Sequence, residues 1–272
     1  MEITPIAHIR TDMPQKFGIP RNSFVAPHLQ GRIVFEPHYA VDAAVAGLEE
    51  FSHLWLLWQF ENGEAGGGAD DVAADATSGR EGDAGAVREP AAAAVPAGRT
   101  TPAPAKWSPT VRPPRLGGAK RIGVFATRSP FRPNSLGLSC VELERVEATP
   151  EGPVIHVRGA DLRDGTPIFD IKPYIPFADC HPEANGGWID QSPWRELDVD
   201  FPEYLRACVP AEKVDGLIEV LSQDPRRAGS KHEPKRIYRM AFAGLDIGFT
   251  VDGDQLHVVS VDRFDASKLK SR

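Results

Sequence analysis

Seven short runs between residues 3 and 175 are rich in β-branched, aliphatic and aromatic residues and stop at turn-forming ones. They cover 3–9, 31–35, 52–60, 121–126, 138–146, 154–159 and 168–175, and each is of strand length. One helix-like stretch, 41–51, falls among them. A parallel sheet needs a crossover, usually a helix, between successive strands. The pattern therefore argues against a doubly wound α/β fold. An antiparallel β-barrel or tightly curved sheet is what it permits, so the predicted class is mainly β.

The character changes after residue 195. Val214, Leu217, Ile218 and Leu221 recur at helical spacing within 202–223. Three strand-like runs follow at 238–242, 246–251 and 256–261, the last two joined by Asp252-Gly253, a hairpin signal. A small C-terminal α+β domain is expected over 195–272, after a barrel domain over 1–194. With 272 residues the chain is long enough for buried cores without disulfides or a structural metal. Three cysteines, Cys140, Cys180 and Cys208, form no disulfide framework and fit a reducing compartment. The longest apolar run, 54–60, is far short of a membrane span, and the first residues lack a signal-peptide pattern. A cytoplasmic protein with no membrane association is expected.

Charge is unevenly distributed. The net charge of −7 argues against indiscriminate coating of nucleic acid. Residues 63–106 hold 14 Ala, 8 Gly and 4 Pro with no aromatic residue, too little apolar bulk to offset ordering, so a disordered acidic insertion is expected there. The stretch 107–141 is the opposite. It carries Arg112, Arg115, Lys120, Arg121, Arg128 and Arg132 and no acid. A locally positive field on an acidic chain points to a specific anionic ligand.

Within that stretch, 123–139 runs from strand to proline-stiffened loop to strand and carries Arg128 and Arg132. A fixed guanidinium binds carboxylate or phosphate bidentately; the alternative is an ordinary surface charge. Asp164-Gly165-Thr166-Pro167 reads as a tight turn, either a plain hairpin or a loop that meets a flat ligand. Asp170 and Lys172 share one side of the following strand, where they could pair or serve a site. Cys180-His181 lacks further ligands at metal-binding spacing, so no metal is expected. No phosphate-binding glycine loop or dinucleotide fingerprint is present.

These stretches, taken with Pro20-Arg21-Asn22, 47–55, 112–118 and 221–226, resemble the tRNA N6-threonylcarbamoyladenosine methyltransferase family. The resemblance spans nearly all of the chain outside 63–106. It implies a β-barrel methyltransferase with a smaller C-terminal domain, a homodimer, S-adenosylmethionine as cofactor and tRNA carrying threonylcarbamoyladenosine as substrate. It places cofactor contacts at Pro20, Arg21, Asn22, Arg128, Leu138, Asp164, Gly165, Thr166 and Pro167. Glu61 and Asn62 are implied too, although this sequence departs there from members with a His-Gln pair.

Roles follow from the cofactor's chemistry. Arg128 or Arg21 could clamp its carboxylate, and Leu138 could wall its adenine. The acceptor nitrogen must lose a proton, for which Asp164 and Asp170 are candidates. Arg112, Arg115, Lys120, Arg121 and Arg132 are expected against tRNA phosphates, and Arg226 against the threonylcarbamoyl carboxylate. The competing reading is a non-catalytic RNA- or nucleotide-binding barrel that retains the pocket.

Overall fold

The computed structural model describes residues 3–60, 107–116, 120–192, 195–226, 230 and 232–265. The expected insertion 63–106, and Glu61 and Asn62, lie outside the described residues.

Six strands close into a barrel: β1 (Ala7–Thr11), β2 (Gln30–Phe35), β3 (His53–Gln59), β6 (Leu136–Thr149), β7 (Gly152–Arg158) and β8 (Pro167–Pro173). Their order around the barrel is β1-β2-β7-β6-β3-β8, and every neighbouring pair is antiparallel. β3 shows why the segments close in this way. Leu54, Leu56 and Trp58 point inward and are buried, while the residues between them are partly exposed. Ile9, Ile33, Val141, Ile155, Val157 and Ile168 complete the interior from the other strands.

The structure corrects two expected elements. The run 121–126 is a strand only at β5 (Ile122–Gly123), which pairs with β4 (Thr110–Val111); Val124–Ala126 then turns as a 3-10 helix. The expected helix 41–51 is α1 (Asp42–Val45) plus a 3-10 turn at Leu48–Glu50. Gly47 separates them at φ +79°, a left-handed conformation that no α-helix continues through.

After a short α2 (Pro176–Asp179) come β9 (Asp198–Asp200), α3 (Glu203–Arg206), α4 (Ala211–Ser222), β10 (Tyr238–Phe242), β11 (Leu245–Asp252) and β12 (Gln255–Arg263). The sheet order is β10-β11-β12-β9, with β9 parallel to β12; β9 was not anticipated from the sequence. Val214, Leu217 and Leu221 of α4 are buried in this second core, and Ile218 packs against it.

The loop between β1 and β2 joins the two cores. Its Met13, Ala26 and Leu29 are buried with the C-terminal cluster, and Phe17 and Ile19 pack beside them. Lys213 of α4 donates to Asp12 Oδ2 at 2.6 Å and Gln30 Oε1 at 2.9 Å. Pro20-Arg21-Asn22 is therefore held where the barrel meets the C-terminal sheet. Among the described residues, no helix is long and apolar enough to cross a membrane.

Candidate functional site

The turn after β7 is built around β1. Gly165 adopts φ +82°, which the Asp164-Gly165 turn requires. Asp164 N donates to Met13 O at 2.9 Å, Gly165 N to Ile9 O at 2.8 Å, and Thr166 O accepts from Ile9 N at 3.0 Å. Asp164 itself receives the Thr11 backbone N–H at 3.1 Å and has Arg10 Nη1 at 3.8 Å. The carboxylate is thus a bracket for the turn, with one side toward solvent.

The loop carrying Arg128 is knitted from its own hydroxyls. Thr127 Oγ1 donates to Val124 O at 2.8 Å, and Thr127 Oγ1 and Ser129 Oγ accept from the backbone of Ser129 and Phe131 at 3.3 Å. Arg132 donates to the carbonyls of Val124 at 3.2 Å and Thr127 at 2.6 Å and lies over the Phe125 ring. Arg132 therefore braces the loop from within. Arg128 projects from it, exposed, and makes no hydrogen bond or ion pair among the described residues.

Two strand faces diverge beside this loop. Leu138 points outward and is 54% exposed, whereas Ser139 points into the barrel and is buried. Gly137 faces the interior so closely against Trp58 that a Cβ there would overlap the indole. Trp58 Nε1 donates to Ser139 Oγ at 2.9 Å, and Ser139 Oγ donates to Asp161 Oδ1 at 2.6 Å. The backbone N–H groups of Ser23 and of Asp161 itself and the charge of Arg128 also act on the Asp161 carboxyl. Burial pushes its carboxyl above the usual carboxylate range, and these donors and Arg128 oppose that rise.

Asp161 is the meeting point of stretches far apart in sequence. Ser23 follows Pro20-Arg21-Asn22, Ser139 follows Leu138, Arg128 comes from the basic loop, and Asp164 to Pro167 begins three residues later. Phe24 N bonds Gly159 O at 3.2 Å and closes the same corner. The sequence reading did not single out Asp161, Ser139 or Trp58. A lone carboxylate between the buried Ala160 and Leu162 was the available signal.

The remaining candidates are placed as follows. Asp170 lies on the outer face of β8, opposite Leu57, and Leu57 in turn sits opposite Leu138. A bulge in the β3–β8 pairing puts Ile168 inward and Asp170 outward. Asp170 pairs with Lys172 at 2.8 Å, both well exposed, an interaction worth about 0–1 kcal/mol at most. Arg112, Lys120 and Arg121 are exposed around the β4–β5 ribbon, Arg115 is half-exposed beside it, and Arg121 donates to Thr110 Oγ1 at 3.1 Å. Arg226 belongs to the turn after α4. It forks onto Asp224 with both arms at 2.8 Å, and its carbonyl accepts from Arg21 Nη2 at 3.4 Å. Burial lowers the Arg21 pKa, and Asp224 opposes the shift.

Known proteins match the chain along nearly its whole length. A family model described as the tRNA-methyltransferase O N-terminal domain matches residues 8–91 and 98–180, and one described as the TrmO C-terminal domain matches 195–264. A tRNA (adenine(37)-N6)-methyltransferase of Escherichia coli (strain K12) is 36% identical over 234 residues, 84% of this chain and 83% of that one. One of the same name from Eikenella corrodens is 46% identical over 149 residues, 54% of this chain and 83% of that one. A relative in Pseudomonas aeruginosa, named "Putative S-adenosylmethionine-dependent methyltransferase RcsF", is 35% identical over 252 residues, 90% of each chain. A crystal structure of TrmO superposes with a TM-score of 0.66 at 29% identity, covering 96% of this chain and 99% of that one. The chain belongs to the tRNA-methyltransferase O family.

Proposed function

We propose that the protein methylates N6 of N6-threonylcarbamoyladenosine beside the anticodon of tRNA, and that it works as a cytoplasmic homodimer. By family it is an S-adenosylmethionine-dependent tRNA adenine-N6 methyltransferase. The threonylcarbamoyl substrate, the dimer, the compartment and the division into units 1–194 and 195–272 are the finer parts of the proposal. The observation that supports it best is the half-buried Asp161 carboxylate, which accepts a hydrogen bond from Ser139 and on which Ser23 and Arg128 also act.

The residues present fit the cofactor. Arg128, with no hydrogen bond or ion pair among the described residues, is a guanidinium on a loop braced by its own hydrogen bonds, suited to a carboxylate. Leu138 offers an exposed apolar surface to a flat base. Asp164 to Pro167 offers a turn already braced on β1, so it needs no reordering to receive a ligand. When bound, S-adenosylmethionine supplies a methyl group on a positively charged sulfur. The chain's own task is to hold the acceptor nitrogen in line with that group, and such positioning is a large part of catalysis.

For the acceptor proton, Asp170 has the weaker hold on its present partner. Its exposed pair with Lys172 contributes little and is easily exchanged, whereas Asp164 brackets the turn through Thr11. Arg112, Arg115, Lys120 and Arg121 would meet tRNA phosphates on the β4–β5 side. Arg132 would act indirectly by shaping the Arg128 loop. Arg226 would reach the threonylcarbamoyl carboxylate only by exchanging it for Asp224.

The test is mass spectrometry of tRNA nucleosides after incubation with protein and S-adenosylmethionine, using tRNA with and without the threonylcarbamoyl group. Methyl transfer confined to the modified tRNA is expected. Absence of transfer to either would favour the binding-only barrel.

A further inference from the structure

Asp161 has its orientation fixed from the barrel side. Trp58 Nε1 can only donate, so Ser139 Oγ accepts from it and directs its own proton at Asp161 Oδ1. The backbone N–H groups of Ser23 and Asp161 also favour its charged form. A carboxylate offers about four acceptor sites, and the hydrogen bond from Ser139 fills one, so capacity is left for a further partner. That partner is not Arg128: the two sense each other's charge but form no ion pair. A guanidinium and a carboxylate that interact through charge without forming an ion pair are suited to a ligand carrying both charges. An α-amino-carboxylate group is such a ligand, and each charge-assisted bond to it would span about 2.8 Å.

We propose that Asp161 and Arg128 form a clamp on the amino-acid end of the cofactor, with Asp161 taking the α-ammonium and Arg128 the α-carboxylate. The proposal rests on the cofactor assignment above and assigns Asp161 a binding role that the turn at 164–167 does not account for. Partial enclosure supports it, because an enclosed carboxylate lacking a cation is disfavoured and an arriving ammonium relieves that.

The experiment is calorimetric titration of wild type and Asp161→Asn with S-adenosylmethionine, S-adenosylhomocysteine and 5′-methylthioadenosine. The substitution keeps the shape and an acceptor for Ser139 while removing the charge. The first two ligands carry the amino-acid end and the third lacks it. Expected is a loss of about 10- to 100-fold for both tail-bearing ligands and none for 5′-methylthioadenosine. A loss for S-adenosylmethionine alone would overturn the proposal by placing Asp161 at the sulfur. Unchanged affinities with abolished turnover would overturn it by placing Asp161 at the acceptor. Should the variant not fold, wild type is titrated with S-adenosylhomocysteine and its analogue lacking the α-amino group. A similar 10- to 100-fold difference is expected, and equal affinity overturns the clamp. Wild type binding none of the ligands would instead overturn the cofactor assignment itself.

Discussion

Arg226 and Asp224 grip each other through two parallel bonds, Nε to Oδ1 and Nη2 to Oδ2, both 2.8 Å. The backbone N–H of Arg226 adds a third to Oδ1 at 3.2 Å, in a turn where Asp224 adopts φ +51°. Both side chains are mostly buried, and the bond to Asp224 raises the Arg226 pKa. With Arg21 resting on the Arg226 carbonyl, this turn couples the Pro20-Arg21-Asn22 loop to the C-terminal unit.

The fork sets what the two residues do when changed. Arg226→Ala strands a half-buried carboxylate and should cost about 1–2 kcal/mol of stability, read as a lower urea midpoint. Asp224→Asn weakens the fork but leaves the arginine in place. If Arg226 reads the threonylcarbamoyl carboxylate, only Arg226→Ala lowers the ratio of kcat/KM for modified over unmodified tRNA. Equal ratios in both variants and wild type would assign Arg226 to the turn alone.

Gly137 is required by Trp58. Gly137→Ala places a methyl group where the indole lies, so the ring must move and its bond to Ser139 must lengthen. Overpacking of this kind costs about 1–3 kcal/mol. The melting temperature should fall, and cofactor affinity should fall with it, because Ser139 no longer fixes Asp161. Ser139→Ala removes the same bond without the clash and should reproduce the affinity loss with a smaller change in melting temperature.

The barrel was legible because its strands alternate. Leu54, Leu56 and Trp58 announce an inward face by period alone, and the α4 stripe does the same at helical spacing. β9 was not legible, because three residues of Asp-Val-Asp carry no period and their pairing to β12 is set by distant chain. The site was legible as a set of stretches, through resemblance, but not as a geometry. Nothing in the sequence tells that Arg132 turns back onto Val124 and Thr127, or that Asp161 gathers Ser23, Ser139 and Arg128. Both are long-range outcomes of strand register, and a one-residue slip in β6 would exchange Leu138 and Ser139 between faces.

The basic ribbon predicts a salt dependence. Arg112 and Lys120 are exposed beside β4 and β5, and each phosphate they meet contributes about 0.7–0.9 to the slope of log affinity against log salt. Replacing both with Gln should weaken tRNA binding, most at low salt, and reduce the slope by about 1–2. Affinity for S-adenosylhomocysteine should not change. An unaltered slope would move the tRNA path away from this ribbon.

His28 gives the link between barrel and C-terminal unit a pH dependence. Its backbone N–H donates to Glu219 Oε2 at 2.9 Å, and its ring bonds the other oxygen of the same carboxylate on α4. That bond, and then the charge of Glu219, raise the His28 pKa above its ordinary 6.5; Asp215 adds to the rise, and slight burial and Arg158 oppose it. The sign follows from linkage. Below pH 6.5 the imidazole is protonated folded and unfolded, so the pair's contribution to stability is fully present. As pH rises through the higher folded-state pKa, the proton leaves and the contribution is lost. Unfolding midpoints in urea should therefore decline between pH 6.5 and the folded-state value more in wild type than in Glu219→Gln. The other histidine–carboxylate pairs, such as His156 with Glu147 and His257 with Asp200, are common to both proteins and cancel in the comparison. NMR titration of the His28 ring reads the same shift directly, with a midpoint above 6.5 in wild type that falls toward 6.5 in the variant. Coincident midpoints would show that Glu219 leaves His28 unperturbed, and the pH dependence of stability would then have another source.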